Sequence, residues 1–321
     1  MLRVAVLDDY QEISRHAADW SVLAGRAEPS VFSTPFRDEA AAAAALAGFD
    51  AVVAMRERTP FPASLLARLP KLRLLVSTGM RNAAIDMKAA KAQGVTVCGT
   101  ELLAYPAAEH AWGLILAASL NIPRDAGRMQ AGQWQVGPGE ALGRGLKGRT
   151  IGIVGLGKLG QQVARFANAF GMRVLAWSRS LTDEQAAAHG ARRVGKDELL
   201  AESDIVTLHV VLNEGTRGLI GAREIGLMKR DALLVNTSRG PCIDEAALIE
   251  GLRTGRIGGA AIDVYDTEPL PPEHALRRLP NALLTPHTGY ATQDNMALCY
   301  RQAVEDIAAY LDGTPLRVLT G

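Results

Sequence analysis

Residues 151–160 read Ile-Gly-Ile-Val-Gly-Leu-Gly-Lys-Leu-Gly, and a helix-forming run, Gln-Gln-Val-Ala-Arg-Phe-Ala-Asn-Ala-Phe, follows at 161–170. The first four residues are a short apolar strand, so Gly155, Gly157 and Gly160 stand in G-x-G-x-x-G spacing between a strand and a helix. In that context the spacing is a dinucleotide-binding fingerprint. Gly155 permits the tight turn, Gly157 lets the backbone approach a pyrophosphate, and Gly160 allows the helix to pack closely on the strand. The helix start, with Lys158 and Leu159 in it, turns unpaired N–H groups and a positive dipole end toward the phosphates.

The next strand, 174–177, runs into Ser178, Arg179 and Ser180. An NAD-preferring site usually carries an acid about 20 residues after the first glycine, for the ribose 2′-hydroxyl. None stands there. Asp183 and Glu184 come later, between Thr182 and Gln185, a pair that reads as a capping box starting the next helix. The missing acid and Arg179 suit a 2′-phosphate, so NADP is favoured over NAD, with Ser178, Arg179 and Ser180 at the ribose.

Further apolar runs at 205–208, 233–235, 260–262 and 283–284 continue the pattern, and 4–7, 51–54, 72–76 and 95–98 form an earlier series. Strands alternating with helical segments imply parallel sheets covered by helices, an α/β chain. At roughly 150 residues per domain, 321 residues make two domains. The alanine tract 40–45 follows two acids and precedes Gly48, as a helix would. The glycine-rich stretch 121–149 lacks strand periodicity and reads as an extended loop or interface arm. A last helical run, 292–311, comes too late for the second sheet and is expected to return to the first domain.

Three strands of the second series end in polar segments: Asn236-Thr-Ser-Arg-Gly240, Asp263-Val-Tyr-Asp-Thr-Glu-Pro269 and Thr285-Pro-His-Thr-Gly289. Open α/β sheets bind ligands at the carboxyl ends of their strands, so a cation, a carboxylate and an imidazole are expected along one edge. Reducing a ketone by hydride leaves an oxygen that needs a proton, which a histidine can supply. A carboxylate beside it would orient the ring and stabilise the imidazolium, and Arg239 would clamp a substrate carboxylate.

Taken together, residues 155–160, 236–240, 263–269 and 285–287, in that order, resemble the D-isomer-specific 2-hydroxyacid dehydrogenases, which include phosphoglycerate dehydrogenases and glyoxylate/hydroxypyruvate reductases. The resemblance runs nearly end to end. It implies a Rossmann-type nucleotide-binding domain, 102–289, inserted in a smaller flavodoxin-like substrate domain, 1–101 plus 290–321, with substrate in the cleft and a homodimer joined through the 121–149 arm. It implies His287 as acid/base, Glu268 as its partner and Arg239 as substrate clamp. Thr78, Gly79 and Met80 would offer backbone amides to the substrate carboxylate, and Arg56 either reaches the same place or is a solvated surface arginine. Asp263 matches a nicotinamide-carboxamide contact, and Thr237 and Ser238 would line the cofactor's redox end. Family members often carry a proline two residues after the position of His209, which this chain lacks.

Composition excludes several alternatives. Lys and Arg number 35 against 34 Asp and Glu, a net charge of +1, so no basic field is available for nucleic acid or an anionic membrane. Cys98, Cys242 and Cys299 are far apart and odd in number, against a disulfide framework or a thiolate metal site. The amino terminus meets Asp8 and Asp9 after one short strand, unlike a secretory signal, so a cytoplasmic enzyme is expected. His16, His110, His189, His209 and His274 lack metal-ligand spacing and read as surface or hydrogen-bonded core residues; no metal is expected. Trp20, Trp112, Trp134 and Trp177 read as packing residues. Two other readings share the fold: a cofactor-sensing regulatory binding protein, and a formate or phosphite dehydrogenase.

Overall fold

The computed structural model describes residues 1–135, 137 and 140–320. The chain divides into two compact units, Met1–Leu103 with Ala291–Gly321, and Ala104–Tyr290.

The first unit is built on five parallel strands, β1 (Leu2–Val6), β2 (Ala27–Val31), β3 (Ala51–Ala54), β4 (Leu74–Ser77) and β5 (Thr96–Gly99). Their order is β2-β1-β3-β4-β5, the flavodoxin-like order. Every residue of β3 and β4 is buried, which is why central parallel strands read as unbroken apolar runs. Strand β2 escaped the sequence reading because Ala-Glu-Pro-Ser-Val buries only Ala27 fully and pairs with β1 alone; a sheet edge tolerates Pro29, which has no N–H to give. The opposite edge is covered by the chain's own tail: Gly99 N–H donates to Arg317 O, and Leu319 N–H to Val97 O. The alanine tract forms the helix Glu39–Leu46, capped by the Asp38 side chain on Ala41 N–H. The long helix Gln293–Leu311 belongs to this unit, where Asn295 Oδ1 accepts from Leu103 N–H and Gln302 Oε1 from Glu101 N–H.

The second unit carries seven parallel strands, β6 (Thr150–Val154), β7 (Arg173–Trp177), β8 (Arg192–Arg193), β9 (Ile205–Leu208), β10 (Leu233–Asn236), β11 (Gly259–Ile262) and β12 (Ala282–Leu284). The order β12-β11-β10-β9-β6-β7-β8 is the Rossmann arrangement with one further strand beyond β11. Strand β8, two exposed arginines at the sheet edge, is too short to leave a pattern. Register aligns Trp177, Val154, Leu208, Asn236, Ile262 and Leu284 in one row across β7, β6, β9, β10, β11 and β12. The residues that follow them, Ser178, Gly155, His209, Thr237, Asp263 and Thr285, therefore leave the sheet at one edge. Chain order reverses between β6 and β9, the switch point where such sheets bind ligands.

The stretch 121–149 is not simply a loop: Ile122–Gln130 is a helix with proline in its first turn. Its interruption by Gly127 hid it from pattern reading. Val136, Pro138 and Gly139 of that stretch lie outside the described residues. Among the described residues, no helix is long and apolar enough to cross a membrane.

Candidate active site

Each glycine of the fingerprint has its own spatial reason. Gly155 sits at φ +99°, and a Cβ there would lie 2.5 Å from His209 O. A Cβ on Gly160 would lie 2.1 Å from Gly155 O, so only glycine lets the helix Lys158–Ala169 start against β6. Gly157, the residue before that helix, would meet nothing within 4 Å, and no side chain caps the helix start. The first-turn N–H groups of Lys158, Leu159 and Gly160 lack intrahelical partners. An open, side-chain-free helix start with unpaired donors fits the pyrophosphate of a dinucleotide.

Ser178 braces this loop, its Oγ accepting from Leu156 N–H at 3.0 Å. Arg179 is exposed at the end of β7, where its Nη2 donates to Asn213 Oδ1 at 3.2 Å. Gly215 N–H donates to the same oxygen, and a Cβ on Gly215 would fall 2.5 Å from the guanidinium. Asn213 was not foreseen, since it is far from the fingerprint in sequence. Ser180 is exposed. His209 stands beside Gly155, its Nε2 3.0 Å from Thr207 Oγ1, and burial pushes its imidazole down to about 4; it is neutral near pH 7.

The imidazole and the acid meet. His287 Nδ1 lies 2.6 Å from Glu268 Oε2. A carboxylate can only accept, so Nδ1 carries the proton in this pair. Glu268 is held in turn by Tyr265 N–H at 2.9 Å on Oε1. The Tyr265 hydroxyl donates toward Ile262 O and Thr285 O, at 3.1 and 2.8 Å, tying the Glu268 segment to the His287 segment. The Tyr290 ring stands edge-on to His287, centroids 5.7 Å apart. The peptide bond between Glu268 and Pro269 is cis.

Arg239 leaves the adjacent strand end. Asn236, 1% exposed, holds this turn: its Oδ1 accepts from Ser238 N–H and Oγ–H, and its Nδ2 donates to Arg239 O. Thr237 and Ser238 are half-buried. Gly240 then lets the turn lie against the next strand end, since a Cβ there would be 2.1 Å from the Tyr265 carbonyl carbon. Tyr265 and Asn236 were missed from sequence because most of their side-chain partners are backbone groups.

Asp263 has a structural role besides the cofactor contact expected of it. Its carboxylate is buried and taken up by protein donors: Thr285 Oγ–H at 2.5 Å and Thr288 N–H at 2.9 Å on Oδ1, and Gly289 N–H at 2.9 Å on Oδ2. His110 Nε2 lies 3.3 Å from Oδ1. Burial would raise this carboxyl, but the His110 and Thr285 hydrogen bonds and the Thr288 amide outweigh it and hold it below the usual range. The side chain holds the His287 segment.

In the first unit, two amides of the 78–80 turn are bonded within the protein. Thr78 N–H is spent on Ala54 O and Gly79 N–H on Thr100 Oγ, while Met80 N–H has no partner among the described residues. Gly79 takes φ +121°, with the Arg56 guanidinium where a Cβ would be. Arg56 is not a solvated surface arginine: its side chain is 17% exposed and Nη1 donates to Thr78 O at 3.3 Å. Trp134, read as a packing residue, is 77% exposed. Among the described residues, no group of three ligating side chains is placed to hold a metal.

A Rossmann sheet with an open phosphate-facing helix start, and an imidazole–carboxylate pair on the same edge, define a nicotinamide-dependent dehydrogenase. The chain belongs to the D-isomer specific 2-hydroxyacid dehydrogenase family, whose NAD-binding domain matches residues 112–289. It is 38% identical to a glyoxylate reductase of Aeropyrum pernix over 78% of this chain and 76% of that one. It is 36% identical to a glycerate dehydrogenase of Methylorubrum extorquens, covering 84% and 85%. The crystal structure of a phosphoglycerate oxidoreductase from Vibrio cholerae o395 superposes with a TM-score of 0.92 at 37% identity, covering 98% of this chain and all of that one. The protein is thus an NAD(P)-dependent 2-hydroxyacid dehydrogenase, or 2-keto acid reductase.

Proposed function

We propose that the protein interconverts a small 2-keto acid and its D-2-hydroxy acid, with His287 as the acid/base, Glu268 as its partner and Arg239 as the substrate clamp. The observation that carries this reading is the 2.6 Å contact between His287 Nδ1 and Glu268 Oε2 on neighbouring strand ends. Bound NAD(P)H supplies the hydride that reduces the 2-keto carbon. As that carbon is reduced its oxygen becomes basic, and His287 Nε2 delivers the proton while Glu268 stabilises the imidazolium. Arg239 binds the substrate carboxylate and polarises the carbonyl. The relatives' names make glyoxylate, and the 2-keto acid of glycerate, hydroxypyruvate, the first substrates to try. Turnover of a panel of 2-keto acids tests the reading; no turnover of any by the wild-type enzyme would remove it.

The Lys158–Gly160 amides would hold the cofactor pyrophosphate, and Thr237 and Ser238 would line its redox end. Arg179, with no acid about 20 residues after Gly155, favours a 2′-phosphate. Arg179→Ala is expected to raise KM for NADPH by about tenfold or more, the scale of one charge-assisted contact, with little change for NADH. Equal effects on both cofactors would overturn the preference.

We also read the protein as a homodimer. Ile122, Met129, Trp134 and Leu142 are all more than half exposed on one segment, more apolar surface than a solvated arm normally shows. Trp134→Ser with Leu142→Ser should give monomers in sedimentation; an unchanged dimer, or a monomeric wild type, refutes this.

A further inference from the structure

We propose that His110 is a positioning residue for the reaction, its imidazole holding the Thr285–Asp263 pair that fixes the segment bearing His287. His110 lies on the helix Pro106–Ser119, about 175 residues before the histidine it serves, in the same unit of the fold. Its Nε2 is 3.1 Å from Thr285 Oγ1 and 3.3 Å from Asp263 Oδ1. A threonine hydroxyl has one proton, and at 2.5 Å from Asp263 Oδ1 that proton is committed to the carboxylate. The oxygen lone pairs of Thr285 and of Asp263 both face His110 Nε2, so this nitrogen must present N–H to both. With the proton on Nδ1 instead, three lone pairs would meet.

The need for such a brace comes from His287 itself. It takes φ +53°, in the left-handed region that disfavours a side-chain-bearing residue. Asp263 grips the chain on both sides of it, at Thr285 before and at Thr288 and Gly289 after. The carboxylate has only two oxygens to orient, and His110 and Thr285, with the Thr288 amide, set how Oδ1 is turned. Gly289 makes room for this arrangement: a Cβ there would lie 3.0 Å from Asp263 Oδ2 and 3.4 Å from His110 Cδ2. Glu268 thus aims the His287 ring, whereas His110 and Asp263 fix the backbone that carries it.

The proposal rests on the reading of His287 as acid/base, and its test has one arm that does not. His110→Leu fills the space without a donor; His110→Gln places an amide N–H near the same point. In the cofactor-free protein, hydrogen–deuterium exchange of Thr288 and Gly289 should speed by about tenfold in His110→Leu, the equivalent of one lost hydrogen bond, and return to near the wild-type rate in His110→Gln. In turnover, His110→Leu should lose about tenfold or more in kcat while KM for the cofactor moves less than about twofold, as for a misplaced catalytic group, with His110→Gln recovering most of it. Unchanged exchange and kcat in His110→Leu overturn the proposal. So does a His110→Gln variant as impaired as His110→Leu, which would mark ring packing as the role, and so does faster exchange with full kcat. If the wild type turns over no 2-keto acid, the function reading fails, and the exchange arm still decides whether His110 braces the segment.

Discussion

His287→Ala is expected to lower kcat for 2-keto acid reduction by about two to four decades, the usual contribution of a positioned general acid. The side chain provides the one imidazole paired with Glu268, and the substrate oxygen must receive a proton as the carbon is reduced. Cofactor affinity, followed by nucleotide fluorescence, should move less than about threefold, since the phosphate-facing donors lie on another segment. Glu268→Gln should lose less than His287→Ala: an amide oxygen still accepts from Nδ1–H, keeping the ring's aim, but it no longer stabilises the cation. A His287→Ala enzyme with near wild-type kcat would end the assigned mechanism. A Glu268→Gln enzyme more impaired than His287→Ala would move the proton chemistry to the acid.

Arg239→Ala is expected to cost about two to three decades in kcat/KM, the range found when a group that stabilises developing charge is removed. Arg239→Lys should recover little, because a lysine presents a point charge where a planar fork is required. The turn is built to hold this side chain, with Asn236 bonded to Ser238 and to the Arg239 carbonyl. Those bonds do not involve the guanidinium, which itself donates to Ser238 O at 2.7 Å, so circular dichroism of Arg239→Ala should match the wild type while its melting temperature falls slightly for the hydrogen bonding lost. Retention of kcat/KM within about tenfold would show that the substrate carboxylate is held elsewhere.

Much of the site was legible because its chemistry is written in short segments that each follow a strand. Gly155, Gly157 and Gly160 carry their meaning in their spacing between a strand and a helix, and β9 and β3 occur where runs of β-branched and aliphatic residues place them. Strand β2 was not legible, because an edge strand with Pro29 and exposed Glu28 has neither an apolar run nor alternation. The helix Ile122–Gln130 was hidden by its glycine and by a polar composition that leaves none of its residues buried. The bonds of the Thr78 and Gly79 amides were not legible, because sequence cannot say which N–H groups the sheet and Thr100 use.

Sequence by itself determined that this is a two-unit α/β chain with a dinucleotide fingerprint, and that an arginine, an acid and a histidine terminate three strands. Those features are local: turn chemistry, apolar periodicity and residue identity need no knowledge of what is nearby in space. Tertiary structure decided what each polar group is paired with. It made Asp263 the holder of the His287 segment, and brought His110 to it from a distant helix. The reason is that a buried carboxylate must have its oxygens satisfied, and which donors satisfy them is set by the strand register and helix packing that bring remote segments together.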